Sequence, residues 1–148
     1  MRVYLAHHGE AVTADVDTRQ PLSAAGVRDV EARAAAAAAR GAKPARIWHS
    51  GKLRAKQTAE AYWRACNPLA TLSATRDLQP GDPPGWMRDR LRYEPEDTLL
   101  TGHFPHLPRL LALLLHSDEH VLAEFAPHGI VALETQDDGQ SWRELWRL

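Results

Sequence analysis

Two stretches far apart in the chain share one design: a short apolar run that ends at a glycine and histidine. Val3-Tyr4-Leu5-Ala6 leads into His7-His8-Gly9, and Asp97-Thr-Leu-Leu-Thr101 leads into Gly102-His103. Runs this short, β-favouring and closed by glycine, predict buried strands. Between them the apolar spacing is helical. Pro21-Leu22-Ser23 opens one helix, with Ser23 as N-cap, Val27, Val30, Ala34 and Ala38 on one face, Gly41 at its end and Pro44 preventing resumption. Arg46–His49 predicts a second strand. Lys52–Cys66 predicts a second helix capped by Ser50, with Ala55, Ala59, Tyr62, Trp63 and Cys66 inward. Leu69–Ala74 reads as a poorer strand, Leu78–Gly85 as a loop and Trp86–Tyr93 as a short helix. Pro105 opens a helix whose core face is Leu107, Leu110, Leu111, Leu114 and Leu115. His120–Phe125 is ambiguous. Ile130–Thr135 and Ser141–Leu148 flank Asp137-Asp138-Gly139, a hairpin signal. Strand–helix alternation followed by a hairpin predicts a three-layer α/β/α domain over residues 1–148. Its sheet is mostly parallel, with an antiparallel edge hairpin.

Charge and composition remove several function classes. A net charge of −1 gives no basic field to recruit nucleic acid. A single cysteine, Cys66, excludes an internal disulfide and a multi-thiolate metal site, and it fits a reducing cytoplasm. No stretch approaches the ~20 apolar residues of a membrane span. The alanine-rich helix Ala24–Arg40 is interrupted by Arg28, Asp29, Glu31 and Arg33. The N-terminus lacks the charged-then-apolar pattern of a signal peptide.

In an open α/β sheet, ligands bind just beyond the carboxyl ends of strands. Three segments are expected there: His7-His8-Gly9, Ser50-Gly-Lys-Leu-Arg54 and Gly102-His103. Imidazoles, a guanidinium and helix N-termini together suit a phosphoryl group. Arginine offers a fork for its oxygens, and a neutral imidazole can attack phosphorus. Glu10 is the one carboxylate in these segments, which disfavours a carboxylate-bound metal centre.

These residues resemble the histidine phosphatase superfamily, whose founding branch includes the cofactor-dependent phosphoglycerate mutases. The likeness is greatest to the short SixA-type phosphohistidine phosphatases. The family opens with a strand and Arg-His-Gly, and this chain reads His7-His8-Gly9. The Pro-Leu-(Thr/Ser)-x-x-Gly helix start appears as Pro21-Leu22-Ser23-Ala24-Ala25-Gly26. Ser-Pro-x-x-Arg-Ala-x-Gln-Thr-Ala appears as Ser50-Gly51-Lys52-Leu53-Arg54-Ala55-Lys56-Gln57-Thr58-Ala59. The Leu-Pro-Gly-Asp loop appears as Leu78-Gln79-Pro80-Gly81-Asp82, and the second histidine as His103-Phe104-Pro105. The resemblance implies a phosphoglycerate mutase-like fold with no cofactor. It implies that His8 is the nucleophile, that Arg54 and His103 bind the phosphoryl oxygens, and that His7, Gly9 and Ser50 line the site. The implied substrate is protein phosphohistidine or a small phosphorylated compound. The implied general acid is Asp82 or, second, Glu10.

The departure is His7, which stands where the family has arginine. Histidine is shorter, lacks the fork and is charged only when protonated, so weaker activity and a mildly acidic optimum are expected. The alternative is a catalytically impaired relative that binds phospholigands or regulates. A third reading places a transition metal among His7, His8, His103 and His106. Elsewhere the residues read as ordinary structure. His49 packs at a strand end, and Lys52 sits in a first helical turn. His106 reads as helix surface, His116, His120 and His128 as solvent-facing, and Trp142 and Trp146 as core or edge cover.

Overall fold

The computed structural model describes all 148 residues. The elements are β1 (Arg2–His7), α1 (Ala24–Ala39), β2 (Arg46–His49), α2 (Leu53–Cys66), β3 (Thr71–Ala74), α3 (Pro84–Leu91), β4 (Thr98–Gly102), α4 (His106–His116), β5 (Ile130–Glu134) and β6 (Arg143–Arg147). They form one six-stranded sheet in the order β3-β2-β4-β1-β5-β6. The first four strands of that order are parallel, and β5 and β6 are antiparallel additions at the edge.

The pleat of β1 sorts its side chains onto two faces. Val3 and Leu5 join Leu107, Leu110, Leu111 and Leu114 of α4 and Met87 and Leu91 of α3. Tyr4 and Ala6 join Val30, Ala34 and Ala37 of α1 and Ala59 and Tyr62 of α2. Helices therefore cover both faces, as the alternation requires. β3 is largely exposed, consistent with its weak pattern. No regular element lies between α4 and β5, where 120–125 was ambiguous. α3 starts two residues earlier than its sequence suggests, because Pro84 occupies its first turn with φ already set.

Register positions the site. His7 pairs with Gly102, and His49 pairs with Thr101, so the carboxyl ends of β1, β2 and β4 lie abreast. The start of α1 is pressed against the chain leaving β1. Ser23 N–H donates to the Glu10 carbonyl at 2.9 Å, and the Ser23 hydroxyl accepts from Gly26 N–H at 2.9 Å, the expected cap. A Cβ on Gly26 would lie 2.1 Å from the Glu10 carbonyl oxygen, which is the physical need behind that glycine.

His106 is not on a helix surface. It is 0 % exposed, and neither ring nitrogen has a partner. Burial keeps its pKa below the ordinary imidazole value. A buried, unpartnered imidazole is costly, so His106→Leu is expected to raise stability by about 1–2 kcal/mol in urea unfolding at pH 7.5. Equal or lower stability would mean that the ring is satisfied.

Candidate active site

His8 follows the last residue of β1 and stays in the ladder: its N–H donates to the Gly102 carbonyl at 3.1 Å. That bond sets it beside His103, with ring centroids 5.1 Å apart. Its Nδ1 lies 2.7 Å from the Gly9 carbonyl oxygen. A carbonyl only accepts, so Nδ1 carries the proton and Nε2 keeps its lone pair. Burial, then Arg54 and His128, hold the His8 pKa below its ordinary value against the raising effect of the Gly9 carbonyl. The ring is thus neutral at physiological pH, with a bare nitrogen.

Arg54 is coupled to this turn through α2. Gly9 N–H donates to Thr58 Oγ1 at 3.0 Å, and the Thr58 hydroxyl donates to the Arg54 carbonyl at 2.8 Å. Gln57 holds the other side, its Oε1 accepting from Leu22 N–H at 2.7 Å. The Gln-Thr pair therefore ties the helix that carries Arg54 to the loop that carries His8, a role not read from the sequence. It also alters the expectation for Gly9. Its N–H is spent on Thr58, and a Cβ there would meet Val30 at 2.4 Å, so packing accounts for this glycine.

Ser50 does not cap α2, whose N-cap is Lys52 without a side-chain bond. Its hydroxyl instead sits 2.7 Å from His103 Nε2, and its carbonyl accepts from Gln79 Nε2 at 2.7 Å. A serine offered both a cap and a buried imidazole satisfies the imidazole, which has less access to water. His103 is 2 % exposed. Burial, then His8, Arg54, Lys52 and His106, push its pKa down to about 3. His49 packs at the end of β2 as expected, its Nδ1 accepting from Gly51 N–H at 3.0 Å.

His7 is 8 % exposed and lies between two rings, stacked on Phe104 at 4.0 Å and on His128 at 5.0 Å. Its Nδ1 accepts the His128 backbone N–H at 2.7 Å, so its own proton is on Nε2. Burial first, then His8, His128, His103 and Arg54, push its pKa down to about 3. Burial thus opposes, in the free site, the charged form of His7 that a mildly acidic optimum would need.

His128 was expected in solvent. It is half-buried, and its Nδ1 lies 2.7 Å from the His8 carbonyl oxygen. β5 runs antiparallel to β1, with Ile130 opposite Ala6, so the residues before β5 arrive at the edge where β1 ends. The available signal was His128-Gly129 next to a strand, a repeat of His8-Gly9.

No carboxylate is among the groups that act on His8, His103 or Arg54. Exposed Glu10 accepts from the Ser23 hydroxyl at 3.2 Å. Asp82 accepts from Gln79 N–H at 2.9 Å within its own loop. Arg54 has no ion-pair partner. The edge is thus neutral imidazoles and free positive charge, a field suited to an anion.

The four histidines considered for a metal do not come together. The set that does is His7, His8 and His128, whose ring nitrogens lie within 4.8 Å of one another. A His7 lone pair is already spent on the His128 N–H, and Arg54 opposes a cation. The donor set fits an anion better than a metal ion. The largest cavity, about 320 Å³, lies at the opposite end of the sheet around Met1, Tyr93 and Thr135. That cavity is not lined by His8, Arg54 or His103.

No family model and no curated protein sequence matches the chain. Solved structures do. A protein histidine phosphatase SixA complexed with tungstate superposes with a TM-score of 0.87 at 23 % identity, covering 100 % of this chain and 96 % of that one. Phosphoglycerate mutase from Plasmodium falciparum gives 0.69 at 19 % identity, with 98 % and 88 % covered. A mycobacterial glucosyl-3-phosphoglycerate phosphatase in complex with VO3 gives 0.69 at 18 % identity, with 98 % of both chains covered. The element order, the mixed sheet and these superpositions agree that the chain has the phosphoglycerate mutase-like α/β fold of the SixA phosphatases.

Proposed function

We propose that the protein is a phosphohydrolase of the histidine phosphatase type. It transfers the substrate's phosphoryl group to His8 and then to water, with no metal ion in either step. The observation that carries this reading is a neutral His8 with Nε2 bare, beside an Arg54 guanidinium that no carboxylate neutralises. Arg54 and His103 hold the phosphoryl oxygens. Nε2 of His8 attacks phosphorus, a bond to the leaving group breaks, and water later displaces His8. Catalysis is positioning plus charge stabilisation. The Gly9 carbonyl stabilises the cationic imidazole that forms when Nε2 bonds to phosphorus.

Phosphohistidine, presented on another protein's surface, is the preferred substrate. Its leaving imidazole is readily protonated. SixA, which this fold matches, is named a protein histidine phosphatase. The test compares turnover of a phosphohistidine peptide, a phosphoserine peptide and sugar phosphates. Turnover of the first above the others is expected, with full activity in chelator. No turnover of any, with tungstate still bound, would establish the second reading, a phospholigand-binding relative.

That second reading is favoured by His7 alone. As a neutral Nε2–H donor it can offer one hydrogen bond but no charge. His7→Arg is expected to raise kcat/KM by about tenfold or more, by restoring a charged donor. A loss would show that His7 is adapted to its place between Phe104 and His128.

A further inference from the structure

The edge holds a nucleophile and anion-binding groups but lacks a carboxylate to move protons. We propose that His128 supplies that function, donating a proton to the leaving group and then accepting one from the attacking water. This assignment rests on the phosphohydrolase reading above.

The residue is held at every point except one. Its backbone N–H donates to His7 Nδ1 at 2.7 Å, and its carbonyl accepts from the Arg33 guanidinium. Its φ is +62°, fixed by a turn in which Gly129 N–H donates to the Ala126 carbonyl at 2.9 Å and the Gly129 carbonyl accepts from His7 N–H at 2.9 Å. Its ring stacks on His7, and Nδ1 is committed to the His8 carbonyl. Since a carbonyl only accepts, Nδ1 keeps its proton, and Nε2 is the nitrogen left free to exchange one. A histidine fixed in tautomer by a carbonyl, with its other nitrogen free on a half-buried ring, has the form of a general acid–base.

The reach is right. In an in-line displacement the leaving atom lies about 4 Å from the attacking nitrogen, and a proton donor must stand about 3 Å from that atom. The ring centroids of His8 and His128 are 6.2 Å apart, and one ring nitrogen of each lies within 4.8 Å of the other, a separation that a phosphoryl group and its leaving atom can span. One substrate can therefore touch both.

Protons balance through the cycle. Nε2 of His8 bonds to phosphorus as the bond from phosphorus to the leaving atom, oxygen or imidazole nitrogen, breaks. The leaving atom takes a proton from Nε2 of His128, which in its acid form carries one on each ring nitrogen. Neutral His128 then takes a proton from water as its oxygen bonds to phosphorus. The bond to His8 breaks, and its electron pair returns to Nε2.

The test uses His128→Asn. Asparagine tolerates positive φ and places an N–H near the Nδ1 position, so the bond to the His8 carbonyl can persist while Nε2 is lost. The two substrates are p-nitrophenyl phosphate, whose leaving group departs without a proton, and an alkyl phosphate, whose leaving group needs one. We expect kcat/KM to change less than about threefold on the first and to fall about 100-fold on the second. His128→Gln, a second variant should asparagine impair folding, is expected to show the same split. Equal losses on both substrates would reduce His128 to a positioning residue and overturn the assignment, as would no loss on either. If the unaltered protein turns over neither these nor a phosphohistidine peptide, the phosphohydrolase reading fails first; if it turns over the phosphohistidine peptide alone, and His128→Asn does so equally well, this assignment alone is overturned.

Discussion

His8→Ala is expected to lower kcat by about 10⁴-fold or more on every phosphoryl substrate, because on the proposed route it removes the atom that bonds to phosphorus. Tungstate binding should weaken far less, since Arg54, His103 and the free positive charge remain. Arg54→Ala should show the converse balance. A loss of about 10²–10³-fold is expected, with weakened oxyanion affinity, as for removal of one preorganised charged donor. The structure gives each change a clean local meaning. His8 is tied to the chain by backbone bonds and one carbonyl, and Arg54 has no ion pair whose loss would strand a partner. Steady-state kinetics and oxyanion titration on the two variants measure this. Residual turnover of a tenth or more in His8→Ala would remove the covalent route.

The second large effect is on stability. His7 and His103 are nearly buried, with pKa values pushed down to about 3, and His8 and His106 are lowered in the same direction. In the unfolded chain each imidazole titrates near ~6.5. The unfolded state therefore binds more protons wherever the pH lies between the two values. The stabilisation is fully present above pH ~6.5 and is lost as pH falls through that window toward 3. From pH 7 to pH 5, His7 and His103 together should cost about 4 kcal/mol, a large part of the ~5–15 kcal/mol typical of a domain. Urea unfolding at the two pH values checks this. An oxyanion in the site favours the protonated rings, so tungstate should protect more at pH 5 than at pH 7. Equal stability at both pH values would mean that these rings take up protons in the fold as readily as in the unfolded chain.

Much of the architecture was legible because period and punctuation agreed. The runs at Val3–Ala6 and Thr98–Thr101 are apolar on both sides because helices cover both faces, and Ser23 and Gly26 mark a helix start that abuts the Glu10 backbone. His8, Arg54 and His103 were legible as a group because parallel strands end at a common edge. The missed features share a cause. His128 precedes a strand, and only antiparallel pairing with β1 brings that strand's start to the site. Periodicity does not report strand direction. His106 stands four residues before Leu110, on the buried face of α4, and its polarity hid a position that its spacing marked as core. Ser50 had two possible partners, and which one it takes depends on where His103 lands.

His7 is where local chemistry and fold interact most. An arginine there would carry charge into the site at any pH. The histidine is held neutral first by burial between two rings, and its Nδ1 lone pair receives the His128 N–H. His7 and His128 are therefore one unit: changing His7 removes the acceptor of the His128 backbone N–H, and changing His128 removes a ring stacked on His7. The double variant should deviate from additivity in kcat/KM.

A crystal structure with tungstate bound tests the arrangement most directly. The account predicts one tungstate at the carboxyl edge of the sheet, with an oxygen or the metal centre facing His8 Nε2 and other oxygens in hydrogen-bond contact with Arg54 and His103. Tungstate found only elsewhere, or at this edge without contact to both His8 and Arg54, would contradict it.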